Sequence, residues 1–145
     1  MSKLKVLPGL FAAVVIFSAC QKDAVVQKDC SLSLNGLSGT YRLTGLTYRA
    51  PGSATEQDYL VFMDACERDD RVILRANGSW EYQDAGTSCT PSGNDNGTWS
   101  VSGNTITSDG QIQGTIRSYD CRTLVYYAEN VVMPGDRYTF TMQQQ

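Results

Sequence analysis

The stretch Val72-Ile73-Leu74-Arg75-Ala76-Asn77-Gly78-Ser79-Trp80-Glu81-Tyr82 decides the fold. Apolar and polar residues alternate on both sides of Asn77-Gly78, the pattern of two strands joined by a tight turn. A two-residue loop would pair Arg75 with Trp80 and set Leu74 opposite Glu81. A three-residue loop, with Gly78 in the left-handed conformation, pairs Leu74 with Trp80 and Val72 with Tyr82. The second register gathers two aliphatics and two aromatics on one face. A one-residue slip exchanges the faces of a strand, so burial selects it. At about 25 cal/mol per Å² of apolar surface, that face contributes several kcal/mol.

The pattern repeats outward. In Gly97-Thr98-Trp99-Ser100-Val101-Ser102-Gly103-Asn104-Thr105-Ile106, a Gly103-Asn104 turn pairs Val101 with Ile106. Trp99, Val101 and Ile106 then face inward, and Thr98, Ser100 and Thr105 outward. Near the C-terminus Tyr138, Phe140 and Met142 alternate with Arg137, Thr139 and Thr141. Near residue 41, Tyr41 and Leu43 share a face until Gly45, where a bulge shifts the parity to Leu46 and Tyr48. Strands are expected at 39–49, 70–75, 79–84, 97–102, 104–108, 111–118, 122–128 and 136–143. Asn94-Asp95-Asn96-Gly97 reads as a turn. Tyr59, Phe62 and Met63 sit at helical spacing, so 55–65 is either the best helix candidate or an ordered loop. Eight short antiparallel strands, each with one buried face, must close or pack as two sheets. Sequential hairpins favour an all-β, eight-stranded up-and-down barrel with room inside for side chains or one small ligand.

The first twenty residues have a different character. Lys3 and Lys5 precede a 14-residue apolar run, Val6 to Ala19, and then Cys20. The run is short of the ~20 residues a spanning helix needs, and it reads as an export signal. Phe17-Ser18-Ala19-Cys20 resembles the lipobox of bacterial lipoproteins, with Phe17 where Leu is usual. The resemblance implies cleavage before Cys20, acylation of its thiol and anchoring to a membrane. Gln21-Lys22-Asp23 resembles the charged tag behind the lipid cysteine in surface lipoproteins of Bacteroidetes-type bacteria. The expected organisation is a signal peptide over 1–19, a lipid-anchored tether over 20–36 and a barrel over 37–145. The expected location is the bacterial cell envelope, on the periplasmic face or surface of the outer membrane.

Five cysteines occur, an odd number for an exported chain. Acylation of Cys20 leaves Cys30, Cys66, Cys89 and Cys121, and an oxidising compartment allows two bridges with three possible pairings. Cys66 and Cys89 flank the first hairpin at similar distances from its tip, which favours Cys66–Cys89 and leaves Cys30–Cys121.

Composition narrows the chemistry. There is no histidine, so a Ser/His or Cys/His nucleophile pair cannot be built and the commonest zinc ligand is missing. Neither a catalytic site nor a metal or other cofactor is expected. Net charge is −3, and near −5 once Lys3 and Lys5 are removed, with no basic patch for nucleic acid. Asp64, Glu67, Asp69 and Asp70 cluster before the first hairpin. Without the regular spacing of a calcium loop they read as a solvated, charged loop.

Leu37-Ser38-Gly39-Thr40-Tyr41 resembles the Gly-x-Trp opening of lipocalins, with Tyr41 in place of tryptophan. Together with Cys66-Glu67-Arg68-Asp69-Asp70, Asn77-Gly78-Ser79-Trp80 and Gly97-Thr98-Trp99-Ser100-Val101, it makes residues 36–143 resemble the lipocalin-like lipoproteins of Bacteroidetes-type bacteria, within the calycin superfamily. That resemblance implies an eight-stranded barrel, a bridge like Cys66–Cys89 and a possible cavity without a particular ligand. Candidate ligand contacts are Tyr41, Trp80, Tyr82, Trp99, Tyr138 and Phe140. The expected partners are the membrane, through the lipid, and a small hydrophobic ligand. The alternative is a filled barrel whose loops meet another envelope protein.

Overall fold

The structure, a computed structural model, describes residues 29–145. Eight strands close an antiparallel barrel: β1 Gly39–Arg49, β3 Arg71–Leu74, β4 Ser79–Gln83, β5 Asp95–Ser102, β6 Thr105–Ser108, β7 Ile112–Tyr119, β8 Thr123–Glu129 and β9 Arg137–Gln144. Neighbours in sequence are neighbours in the sheet, and β1 pairs with β9 to close the ring. A two-residue strand, β2 Gln57–Asp58, lies against the end of β1.

Register follows burial. Leu74 pairs with Trp80 and Val72 with Tyr82, with Gly78 at φ +82° completing the three-residue loop. Val101 pairs with Ile106. The β1–β9 register slips between Leu43 and Gly45, so Thr44 is bulged. Tyr41, Leu43, Leu46 and Tyr48 therefore all address the interior side.

Of the two forms expected for residues 55–65, the structure takes the ordered loop, with the two-residue β2 and a single 3-10 turn, Leu60–Phe62, and no α-helix; pairing to β1 and the Tyr59 N–H bond to the Leu46 carbonyl hold it. Two local expectations need correction. Residues 95–97 are not a turn but the start of β5, with Gly97 opposite Trp80. A Cβ at Gly97 would lie 2.7 Å from Trp80 Nε1, so the glycine admits the indole. The folded region also starts before residue 37: Leu34–Leu37 form a short helix, α1, capped by the Ser33 hydroxyl accepting the Gly36 N–H at 3.0 Å.

That helix plugs one end of the barrel. Leu37 is 0% exposed and joins Tyr41, Leu74, Trp99, Ile116, Leu124 and Met142 in the core. The Tyr41 hydroxyl donates to the Leu37 carbonyl at 2.8 Å, and the Tyr119 hydroxyl to the Gly36 carbonyl at 2.7 Å. Disulfides join Cys30 to Cys121 and Cys66 to Cys89. The first fastens the segment before α1 to the β7–β8 turn, and the second ties the loop before β3 to the loop after β4.

Candidate functional site

At the end opposite α1 the interior is not filled. Two cavities lie side by side. The larger, about 270 Å³, is walled by Val72, Leu74, Trp80, Trp99, Ile106, Tyr126, Ala128 and Phe140, and reaches Ile112 and Val131 at the mouth. The smaller, about 160 Å³, is walled by Leu43, Met63, Val72, Tyr82, Met142 and the acidic residues Glu67 and Asp70. Val72, Tyr126 and Phe140 belong to both walls and so stand between the two spaces. The Tyr126 and Phe140 rings are stacked, centroids 4.9 Å apart at 12°.

The alternation of each strand places these side chains. Leu74, Trp80 and Trp99 point inward from β3, β4 and β5, and Trp99 is fixed by its indole N–H donating to the Arg75 carbonyl at 3.0 Å. Gly114 on β7 leaves room for Tyr126, since a Cβ there would lie 2.9 Å from the Tyr126 ring. Burial pushes the Tyr126 phenol up to about 12, because an apolar wall disfavours the phenolate. The buried Trp80 indole N–H makes no hydrogen bond of normal geometry among the described residues but faces the Asp109 carboxylate. Asp109 is held below the usual carboxylate range, first by the Thr98 N–H and then by the Ser108 hydroxyl.

The mouth is built by loops. Val61, Phe62, Ile112, Val131, Val132 and Met133 stay exposed there, Phe62 at 73%. The loop 130–136 is organised by Asp136, whose carboxylate accepts the N–H groups of Val131, Val132 and Met133 at 2.8–3.0 Å. Burial pushes the Asp136 carboxyl up, but these three bonds outweigh it and hold it below the usual range.

Of the expected ligand contacts, Trp80, Trp99 and Phe140 wall the larger cavity, and Tyr82 and Phe140 the smaller. Tyr41 does not: it is core at the plugged end. Tyr138 sits with Tyr48 and Tyr59 in an aromatic cluster, centroids 4.9–5.7 Å apart, outside both walls. Cys20 lies outside the described residues. The expectation that Asp69 and Asp70 belong to a solvated loop is corrected. Asp70 is 6% exposed, accepting the Tyr82 hydroxyl at 2.5 Å and the Ala85 N–H at 2.9 Å. Asp69 accepts the Thr87 N–H. Both carboxylates answer amides of the loop after β4, whose own backbone needs partners.

Tyr126, outside the expected set, walls both cavities. Its neighbour Tyr127 points outward, with the Arg137 guanidinium 4.1 Å from its ring. The signal was present: Leu124, Tyr126 and Ala128 share one parity, while Glu129 falls on the parity of Tyr127.

A barrel plugged at one end by its N-terminal helix, with an apolar hollow open at the other, is the architecture of a ligand-holding calyx. Residues 37–126 match the model of the lipocalin-like domain, and the chain belongs to that family. No curated protein and no solved structure matches the chain at comparable stringency.

Proposed function

We propose that the protein is a non-catalytic binding module that takes one small, largely apolar ligand through the mouth into the larger cavity. The hollow of about 270 Å³ between Trp80, Trp99, Tyr126 and Phe140 carries the reading. An apolar cavity of ~150 Å³ already accepts benzene, while drug-sized ligands occupy ~300 Å³ or more. The ligand is thus larger than a single ring and smaller than a typical lipocalin-scale hydrophobe. The apolar side chains left exposed at the mouth fit an entry path. The absence of histidine supports binding over catalysis.

The proposal extends to location: an exported chain held by a lipid on Cys20 in a bacterial outer membrane. The lipobox-like residues 17–20 support it. Cys20→Ser should move the protein from the membrane fraction to the soluble one; continued membrane association would refute the anchor.

The binding reading is tested by fluorescence. Trp80 and Trp99 are the chain's two tryptophans, and both wall the cavity. Saturable quenching or a blue shift by at least one small apolar compound is expected. A panel of aliphatic and aromatic compounds producing no change would instead favour the interaction module, with the exposed apolar mouth as its contact face.

A further inference from the structure

We infer that Phe140 gauges the ligand: stacked on Tyr126, its ring closes the larger cavity off from the smaller one and limits the ligand to a neutral compound of about eleven heavy atoms. This rests on the binding reading above and adds the size limit and the residue that sets it.

The two hollows are divided by three side chains. Val72 on β3, Tyr126 on β8 and Phe140 on β9 are common to both walls. The larger cavity otherwise leans on β5, β6 and β7, and the smaller on β1 and the loop before β3, so rings projecting from β8 and β9 stand across the boundary. Tyr126 and Phe140 are direct cross-strand partners, and their stacked rings form one two-ring screen. Two residues along each strand towards the plug, the pair Leu124 and Met142 is buried, at 2% and 6% exposed. Tyr126 and Phe140 share that inward parity but stay only half-buried, because hollow space flanks them. Tyr126 is already seated against the backbone of β7 at Gly114, where even a Cβ would lie 2.9 Å from its ring. Phe140 is the ring of the pair that stands on the side of the smaller cavity, on the strand that also supplies Met142 to its wall.

The volumes set the limit. Benzene, with its six-carbon ring, fits an apolar cavity of ~150 Å³, which is about 25 Å³ per heavy atom. On that scale the larger cavity of about 270 Å³ takes about eleven heavy atoms. The smaller, about 160 Å³, would take about six more if the screen were opened. Among the described residues, none that walls the larger cavity carries a charge. An ion would lose its water there without gaining a partner, so the ligand is neutral.

Straight-chain alcohols from 1-butanol to 1-tetradecanol test the inference, each titrated below its solubility limit into the full chain while the fluorescence of Trp80 and Trp99 is read. Each methylene that enters the cavity is worth about fourfold in affinity. Affinity should rise at that rate up to about 1-decanol and then level off, each further methylene adding less than about twofold. Phe140→Ala, which keeps both tryptophans, should carry the rise on to 1-tetradecanol and bind it at least about tenfold tighter than the unaltered chain does. 1-Hexanol, short enough for the larger cavity alone, should gain nothing. Val72→Ala makes a smaller opening in the same screen and should move the break by about two carbons. An unbroken rise to 1-tetradecanol in the unaltered chain, or a break that stays in place in a folded Phe140→Ala, overturns the gauge but leaves the cavity reading standing. Where Phe140→Ala does not fold, an unmoved break in Val72→Ala overturns it likewise. No response to any of the alcohols overturns both.

Discussion

Shortening Leu37 to alanine should destabilise the whole barrel, although the residue lies in a four-residue helix before the first strand. Its side chain is fully buried against Tyr41, Leu74 and Trp99. Removing three carbons at about 0.8 kcal/mol each forfeits about 2.4 kcal/mol of transfer free energy. The cavity left in a core anchored by two tyrosine hydroxyls adds up to about 2 kcal/mol more. The expected loss is therefore about 2.5–4.5 kcal/mol. Urea unfolding with both disulfides intact, followed through the two tryptophans, measures it as a lower midpoint at unchanged slope. Leu32, 39% exposed, provides the control, and Leu32→Ala should cost less than about 1 kcal/mol. If Leu37→Ala costs no more than Leu32→Ala, then α1 is an ornament on the barrel and not its plug.

Four further outcomes are expected. Ala128→Phe places a ring in the larger cavity and should abolish the fluorescence response to small apolar ligands with the urea midpoint little lowered; retained binding would place the ligand elsewhere. Because the folded pKa of Asp136 is depressed, its stabilising contribution is complete above the unfolded carboxylate value of about 3.9 and is lost as pH falls through the lower folded value. Asp136→Asn should thus remove part of the acid limb of a pH–stability curve, and an identical limb would refute the role. Tyr126 is raised, so its contribution is complete below about pH 10 and fades as pH rises towards about 12, which Tyr126→Phe should suppress. Replacing Cys66 and Cys89 together by alanine opens a loop of 23 residues, an expected loss of about 3 kcal/mol in thermal or urea unfolding.

The legible features were those set by neighbours in sequence. The two hairpin registers follow from Gly78, Gly103 and the parity of flanking side chains, and the bulge near Gly45 follows from apolar residues that change parity there. Cys66 and Cys89 read as partners because one hairpin lies between them. What was not legible depends on residues far apart in the chain. Helix α1 is a single turn, too short to show a period, and it forms because Tyr41 and Tyr119 donate to its carbonyls. Asp70 looks like any acidic loop residue until the amide of Ala85 arrives to bury it. Tyr41 and Tyr138 share the inward parity of the residues that wall the cavities. Only their height along the barrel, against the plug and in the aromatic cluster, separates them from Trp80 and Phe140.

The Cys30–Cys121 bridge also has a mechanical meaning. A pull on the chain ahead of Asp29 reaches Cys30 first, and the bridge passes it to the β7–β8 turn, 91 residues away in sequence. The load then enters between β7 and β8 rather than peeling β1 away from β3 and β9, starting at Gly39. Tension at the plugged end is met by a covalent strut, at the opposite end of the barrel from the mouth of the hollow.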